Sequence, residues 1–81
     1  MEYTIKLKFS DVQNFVNFCI SYSKKDVDID IIQGKYIVNG KSILGILSLD
    51  LSKPMTFYCK EKNEILKEKI SSYITDNFFD F

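Results

Sequence analysis

The side chains that could carry chemistry here are few. They are the thiols of Cys19 and Cys59, the carboxylate of Asp11, the series Asp26, Asp28 and Asp30, and the hydroxyls of Ser10 and Ser42. The chain has no His and no Arg. Without His there is no imidazole general base, no phosphohistidine and no His-ligated metal. Without Arg there is no guanidinium fork to grip a phosphate or carboxylate with two prongs. Cys19 and Cys59 form no CxxC pattern, and both fall on apolar stripes. They read as reduced core thiols, with a disulfide or a reactive thiol as the competing reading. Asp26, Asp28 and Asp30 stand two apart and so share one strand face; a divalent cation needs further oxygen ligands from a loop, and a solvated face is the plainer reading. No metal, no cofactor and no enzymatic activity are expected.

The bulk properties narrow the partners. Eleven Lys balance 11 acidic residues, for a formal net charge of zero over 81 residues. A nucleic-acid binder draws its affinity from a basic excess, and that excess is missing. No apolar run approaches the roughly 20 residues of a membrane span. Met1-Glu2-Tyr3-Thr4 lacks the basic-then-apolar order of a leader peptide, so a cytoplasmic chain is expected. The length fits a single domain, residues 1–81.

The hydrophobic pattern supplies the elements. Tyr3, Ile5, Leu7 and Phe9 alternate with Glu2, Thr4, Lys6 and Lys8, a first strand with one buried face. Ser10-Asp11-Val12-Gln13 reads as a capping box, with Ser10 as N-cap and Gln13 reaching back. The first helix follows at about 11–24, its stripe formed by Val12, Phe15, Val16, Cys19 and Ile20. Val27, Ile29 and Ile31 make a second strand, the Gln33-Gly34-Lys35 signal turns it, and Tyr36-Ile37-Val38 returns as a third. The segment from Ile43 to Leu49 is apolar on nearly every side; periodicity alone allows a strand, while an N-cap at Ser42 and the interruption at Gly45 favour a short helix. Met55, Phe57 and Cys59 mark a fourth strand. Asn63 can cap a last helix with the stripe Leu66, Ile70, Tyr73, Ile74 and Phe78. The order is β-α-β-β-α-β-α. It predicts an α+β open-faced β-sandwich: a four-stranded, antiparallel-type sheet with its helices on one face. The fourth strand is expected between the first and second, which run parallel to each other.

One segment carries a resemblance. Lys41-Ser42-Ile43-Leu44-Gly45-Ile46-Leu47-Ser48-Leu49 matches, at all nine positions, the pattern K-S-[IL]-[ML]-G-[VIL]-[ML]-S-L around the regulatory serine of HPr, the phosphocarrier of the bacterial sugar phosphotransferase system. The Gly34-Lys35 turn and the element order are also similar to HPr, so the fold implied is HPr-like. The family's other signature, a His followed by Ala/Ser-Arg-Pro before the first helix, is absent. The matching loop is shortened to Phe9-Ser10-Asp11-Val12-Gln13-Asn14, a degenerate phosphoacceptor loop with Asp11 near the His position and Gln13 near that of Arg. The resemblance therefore implies an HPr-like member that cannot carry phosphate on His. An Asp11 acyl phosphate or covalent chemistry at Cys59 is the enzymatic alternative; Asp11 or Ser10 as a helix cap is the bland one.

What the resemblance retains is regulatory. In the family, the serine matching Ser42 is phosphorylated by HPr kinase/phosphorylase, and the product is a transcriptional co-repressor. The bland reading is that Ser42 only caps its helix. Lys41, Ile43, Leu44 and Leu47 match the surface on which HPr receives enzyme I, the sugar-specific IIA domains and the kinase. Ile46 and Leu49 are assigned to the core. The expectation is a regulatory or protein-interaction module whose partners are phosphotransferase-system components, the kinase or a transcription regulator. A homodimerising relic with an unrelated partner is the alternative. Phe78 is expected to pack back on the domain, with Phe79 and Phe81 left open.

Overall fold

The computed structural model describes residues 2–22, 28–60 and 64–74. Its strands are β1 (Glu2–Ile5), β2 (Ile29–Gln33), β3 (Tyr36–Asn39) and β4 (Met55–Cys59). Its helices are α1 (Val12–Tyr22), α2 (Ile43–Leu47) and α3 (Glu64–Ile70), with one 3-10 turn at Phe9–Asp11. The fold is a small α+β arrangement with one open, four-stranded sheet in the order β1-β4-β2-β3, every neighbouring pair antiparallel. As expected, β4 lies between β1 and β2, and those two strands run parallel across it.

Alternation decides which side is dry. Tyr3, Phe57, Ile31 and Val38 form one cross-strand row, and Ile5 with Met55 and Ile29 with Cys59 extend the same face. That face meets Phe15, Val16 and Cys19 of α1, Ile46 of α2, and Leu66 and Ile70 of α3 in a single core. The intervening residues Thr4, Asp30, Ile32, Thr56 and Tyr58 are not buried. Burial of the inner face supplies most of the stability, at about 25 cal/mol per Å² of apolar surface. Phe15 locks α1 to the sheet, its ring set edge-on to Phe57 at 6.2 Å and to Tyr73 at 5.5 Å.

The predicted β2–β3 hairpin forms with a two-residue turn, Gln33 opposite Tyr36 and Gly34 at φ 60°. Gln33 has a second role that sequence reading missed. Its amide accepts from the Asp50 N–H (2.8 Å) and donates to the carbonyls of Asp50 (2.8 Å) and Pro54 (3.3 Å), clamping the loop before β4.

Several boundaries are corrected. The first strand ends at Ile5, because beyond it Lys6 N–H donates to Tyr73 O (2.9 Å) instead of pairing with β4. Phe9 does not continue the inner face; the 3-10 turn swings it out and leaves it 75% exposed. Ile20 is exposed as well. At 100° per residue it sits about 90° from the centre of the stripe formed by Val12, Phe15, Val16 and Cys19, beyond the sheet's reach. The last helix stops at Ile70; Ile74 instead makes an antiparallel bridge with Ile5. Val27, Asn63 and Phe78 lie outside the described residues. Among those described, no helix is long and apolar enough to cross a membrane.

Candidate functional site

The segment from Asn39 to Leu49 builds its short helix from local polar bonds and one anchor. The Asn39 side chain accepts the Lys41 N–H (2.8 Å) and its carbonyl accepts the Ser42 N–H (3.0 Å), which turns the chain out of β3. Ser42 is in extended backbone at the N-cap, and its Oγ accepts the Gly45 N–H at 3.0 Å. This is the N-cap expected from sequence, and it satisfies one of the helix's unpaired donors. Ile46 is fully buried and Leu49 nearly so, the two core positions expected. Gly45 brings α2 against β3: a Cβ there would stand 3.1 Å from Val38 Cβ and 3.0 Å from Ser42 Oγ.

The remaining residues of α2 divide. Leu44 is 81% exposed and Leu47 is 37% exposed. Ile43 is half-buried and packs against the core, so it contributes only its edge to the surface. Lys41 is exposed beside the cap. Leu44 and Leu47 stand three apart, on one side of a helix whose other side is held by Ile46.

The loop before α1 is arranged differently from the sequence expectation. Ser10 is not the N-cap, and Gln13 does not reach back. The Lys8 N–H donates to Asp11 Oδ2 (3.1 Å), and the Asp11 N–H donates to Lys8 O (2.9 Å). A 3-10 turn thus precedes the helix and moves the cap two residues earlier, so Ser10 lies within the turn and is exposed. Gln13 Nε2 donates instead to Asn17 Oδ1 at 3.3 Å along the exposed side of α1. Asp11 spends one carboxylate oxygen on its own loop.

The thiols are both in the core. Cys19 and Cys59 are unbridged and have no exposed surface. Burial, with the neighbouring Cys59 adding to it, pushes the Cys19 thiol up to about 12. Asp28 is exposed, Asp30 is half-buried on the outer face of β2, and Asp26 lies outside the described residues. Among the described residues, no group of three or more His, Cys, Asp or Glu could hold a metal ion. The tail with Phe78, Phe79 and Phe81 also lies outside them.

A cleft of about 530 Å³ was not anticipated from sequence. It lies between residues 6–8 and the 71–73 turn, lined by Lys6, Leu7, Lys8, Asp11, Ser72 and Tyr73. Lys6 and Lys8 were legible as neighbours on one strand face. Their meeting with Ser72 and Tyr73 depends on the C-terminal turn closing the edge of β1, for which the local pattern holds no signal. Comparison of the chain with family models, curated proteins and solved structures finds no match.

Proposed function

We propose that this chain is an HPr-like, non-catalytic interaction module that docks protein partners through α2 and is regulated at Ser42. The observation that carries the reading is the surface of α2, a short helix pinned by Ile46 and capped by Ser42 that leaves Leu44 and Leu47 to solvent. Apolar side chains placed together on the surface mark contact sites, and these two belong to the segment that matches the HPr regulatory motif. The HPr-like topology is part of the proposal. Its support is the element order together with the Lys41-to-Leu49 pattern.

The chemistry follows from the residues present. Phosphate transfer through imidazole is closed to a chain without His. Phosphorylation of Ser42 adds about 1.5 to 2 negative charges at pH 7 next to Leu44 and Leu47. The apolar surface then prefers partners that supply cations. The backbone need not move, because the change is one of charge at a fixed cap.

Intact-mass measurement tests both halves. After incubation with HPr kinase and ATP, one phosphate is expected on the wild type and none on Ser42→Ala. After incubation with enzyme I and phosphoenolpyruvate, no gain is expected. A phosphate acquired from enzyme I overturns the claim that the carrier function is lost. No phosphate from an active kinase overturns the regulatory role of Ser42.

A further inference from the structure

The cleft beside β1 is polar on its rim and firm in its walls. Lys6 N–H is tied to Tyr73 O at 2.9 Å, which fixes the two walls together at one end. The Tyr73 ring is held edge-on by Phe15, and the Leu7 side chain is buried, so these two residues do not collapse into the space. Lys6 and Lys8 stand two apart with both side chains at the surface, and neither has a carboxylate within ion-pair distance among the described residues. Asp11 gives Oδ2 to the Lys8 N–H, which leaves its Oδ1 as an acceptor. The charge of Asp11 also reaches the Tyr73 hydroxyl which, through burial first and that charge second, is held above its ordinary pKa and remains a donor.

These groups select a ligand chemistry. Two ammonium groups and two hydroxyls suit an anion. One carboxylate on the same rim repels a bare anion and accepts from a hydroxyl. About 530 Å³ is several times the volume of inorganic phosphate and lies in the range of small-molecule sites. We infer that the cleft binds a small phosphate monoester bearing free hydroxyls, its phosphate between Lys6 and Lys8 and a hydroxyl donated to Asp11. The inference uses no residue of α2 and stands apart from the docking reading.

Titration of the ¹⁵N-labelled chain with glycerol 3-phosphate tests it. Saturable shifts are expected at the amides of Lys6, Lys8, Asp11, Ser72 and Tyr73. Changing Lys6 and Lys8 together to Gln should weaken binding by about tenfold or more, the scale of losing charge-assisted contacts. The same change at the exposed pair Lys35 and Lys41 should leave it unaltered. Inorganic phosphate should bind more weakly than the ester, and Asp11→Asn should narrow that difference. Both lysines are exposed, so the variant keeps its fold and the test stays decisive if Asp11→Asn does not. Shifts scattered over many lysines, equal loss in the Lys35 and Lys41 variant, or inorganic phosphate binding as tightly as the ester each overturn the inference. A phosphoserine peptide that binds tighter than glycerol 3-phosphate overturns the small-molecule assignment.

Discussion

The turns into α1 and α2 begin helices by different means. α1 starts through a 3-10 turn closed by the Asp11 carboxylate, then buries Val12, Phe15, Val16 and Cys19. α2 starts directly at Ser42 and buries only Ile46 of its five residues. The first helix is held by the core and would survive the loss of its cap. The second depends on its cap and on one anchor, because five residues are far too few to be helical alone. A helix held so lightly by the core leaves apolar side chains, Leu44 and Leu47, at the surface; α1 has spent its apolar stripe on the sheet. The polar cleft lies at the start of α1, the apolar surface on α2 itself.

Substitutions can break this contrast, the largest effects coming from the core. Phe15→Ala should cost about 3–5 kcal/mol in urea unfolding, and Ile46→Ala about 2–5 kcal/mol. A loss below about 1 kcal/mol for Phe15→Ala would mean that α1 is not held by its stripe.

Alkaline pH probes the same stripe through Cys19. Its folded pKa, about 12, lies above the ordinary thiol value. The folded chain therefore keeps a proton that the unfolded chain gives up. Stability is complete below about pH 8.5 and is lost as pH rises toward the folded value, by about 1–2 kcal/mol at pH 10. The raised Tyr73 pKa acts in the same direction. Unfolding midpoints at pH 8 and pH 10 should differ accordingly, and Cys19→Ala should remove most of the difference. An equal pH slope in Cys19→Ala would contradict the assignment to this thiol.

The two caps come next in size. Ser42→Ala should cost about 1 kcal/mol, as N-cap losses do. Ser10→Ala, at the position a capping-box pattern favours, should change stability by less than about 0.5 kcal/mol. The reverse ranking would restore Ser10 as the cap and undo the contrast. Leu47→Asp should also cost little stability, no more than about 1 kcal/mol, because the residue is partly exposed. Its effect should appear instead as a fall of about tenfold or more in Ser42 phosphorylation by HPr kinase, as expected when a docking anchor is lost. An unchanged rate in the folded variant would remove α2 as the docking surface.

The contrast also marks where sequence reading worked. Ser42 was legible because cap, glycine and apolar run lie within a few residues, and local bonds decide a short helix. Ser10 misled because a capping box is a local pattern that more than one frame can satisfy: here the Asp11 carboxylate accepts the Lys8 N–H three residues back, and the 3-10 turn so closed carries Ser10 inside it. Phe9 and Ile20 were assigned inward by periodicity. Periodicity gives direction and not distance, and both lie beyond the edge of what the sheet covers. Leu44 and Leu47 were placed on the surface by a different argument: a short helix apolar all round cannot bury every side in 81 residues.

The alternation of β1, β2 and β4, the hairpin at Gly34, the cap at Ser42 and the exclusion of imidazole chemistry are properties of the sequence by itself. They depend on residue type, spacing and backbone preference, which are local. The tertiary structure alone decided that Gln33 clamps the loop before β4, that Ile74 leaves its helix to bridge Ile5, and that Lys6 and Lys8 face Ser72 and Tyr73 across a cleft. Each joins segments at least 17 residues apart. Such contacts form only where the packed core brings distant backbone together, and no periodicity along the chain encodes them.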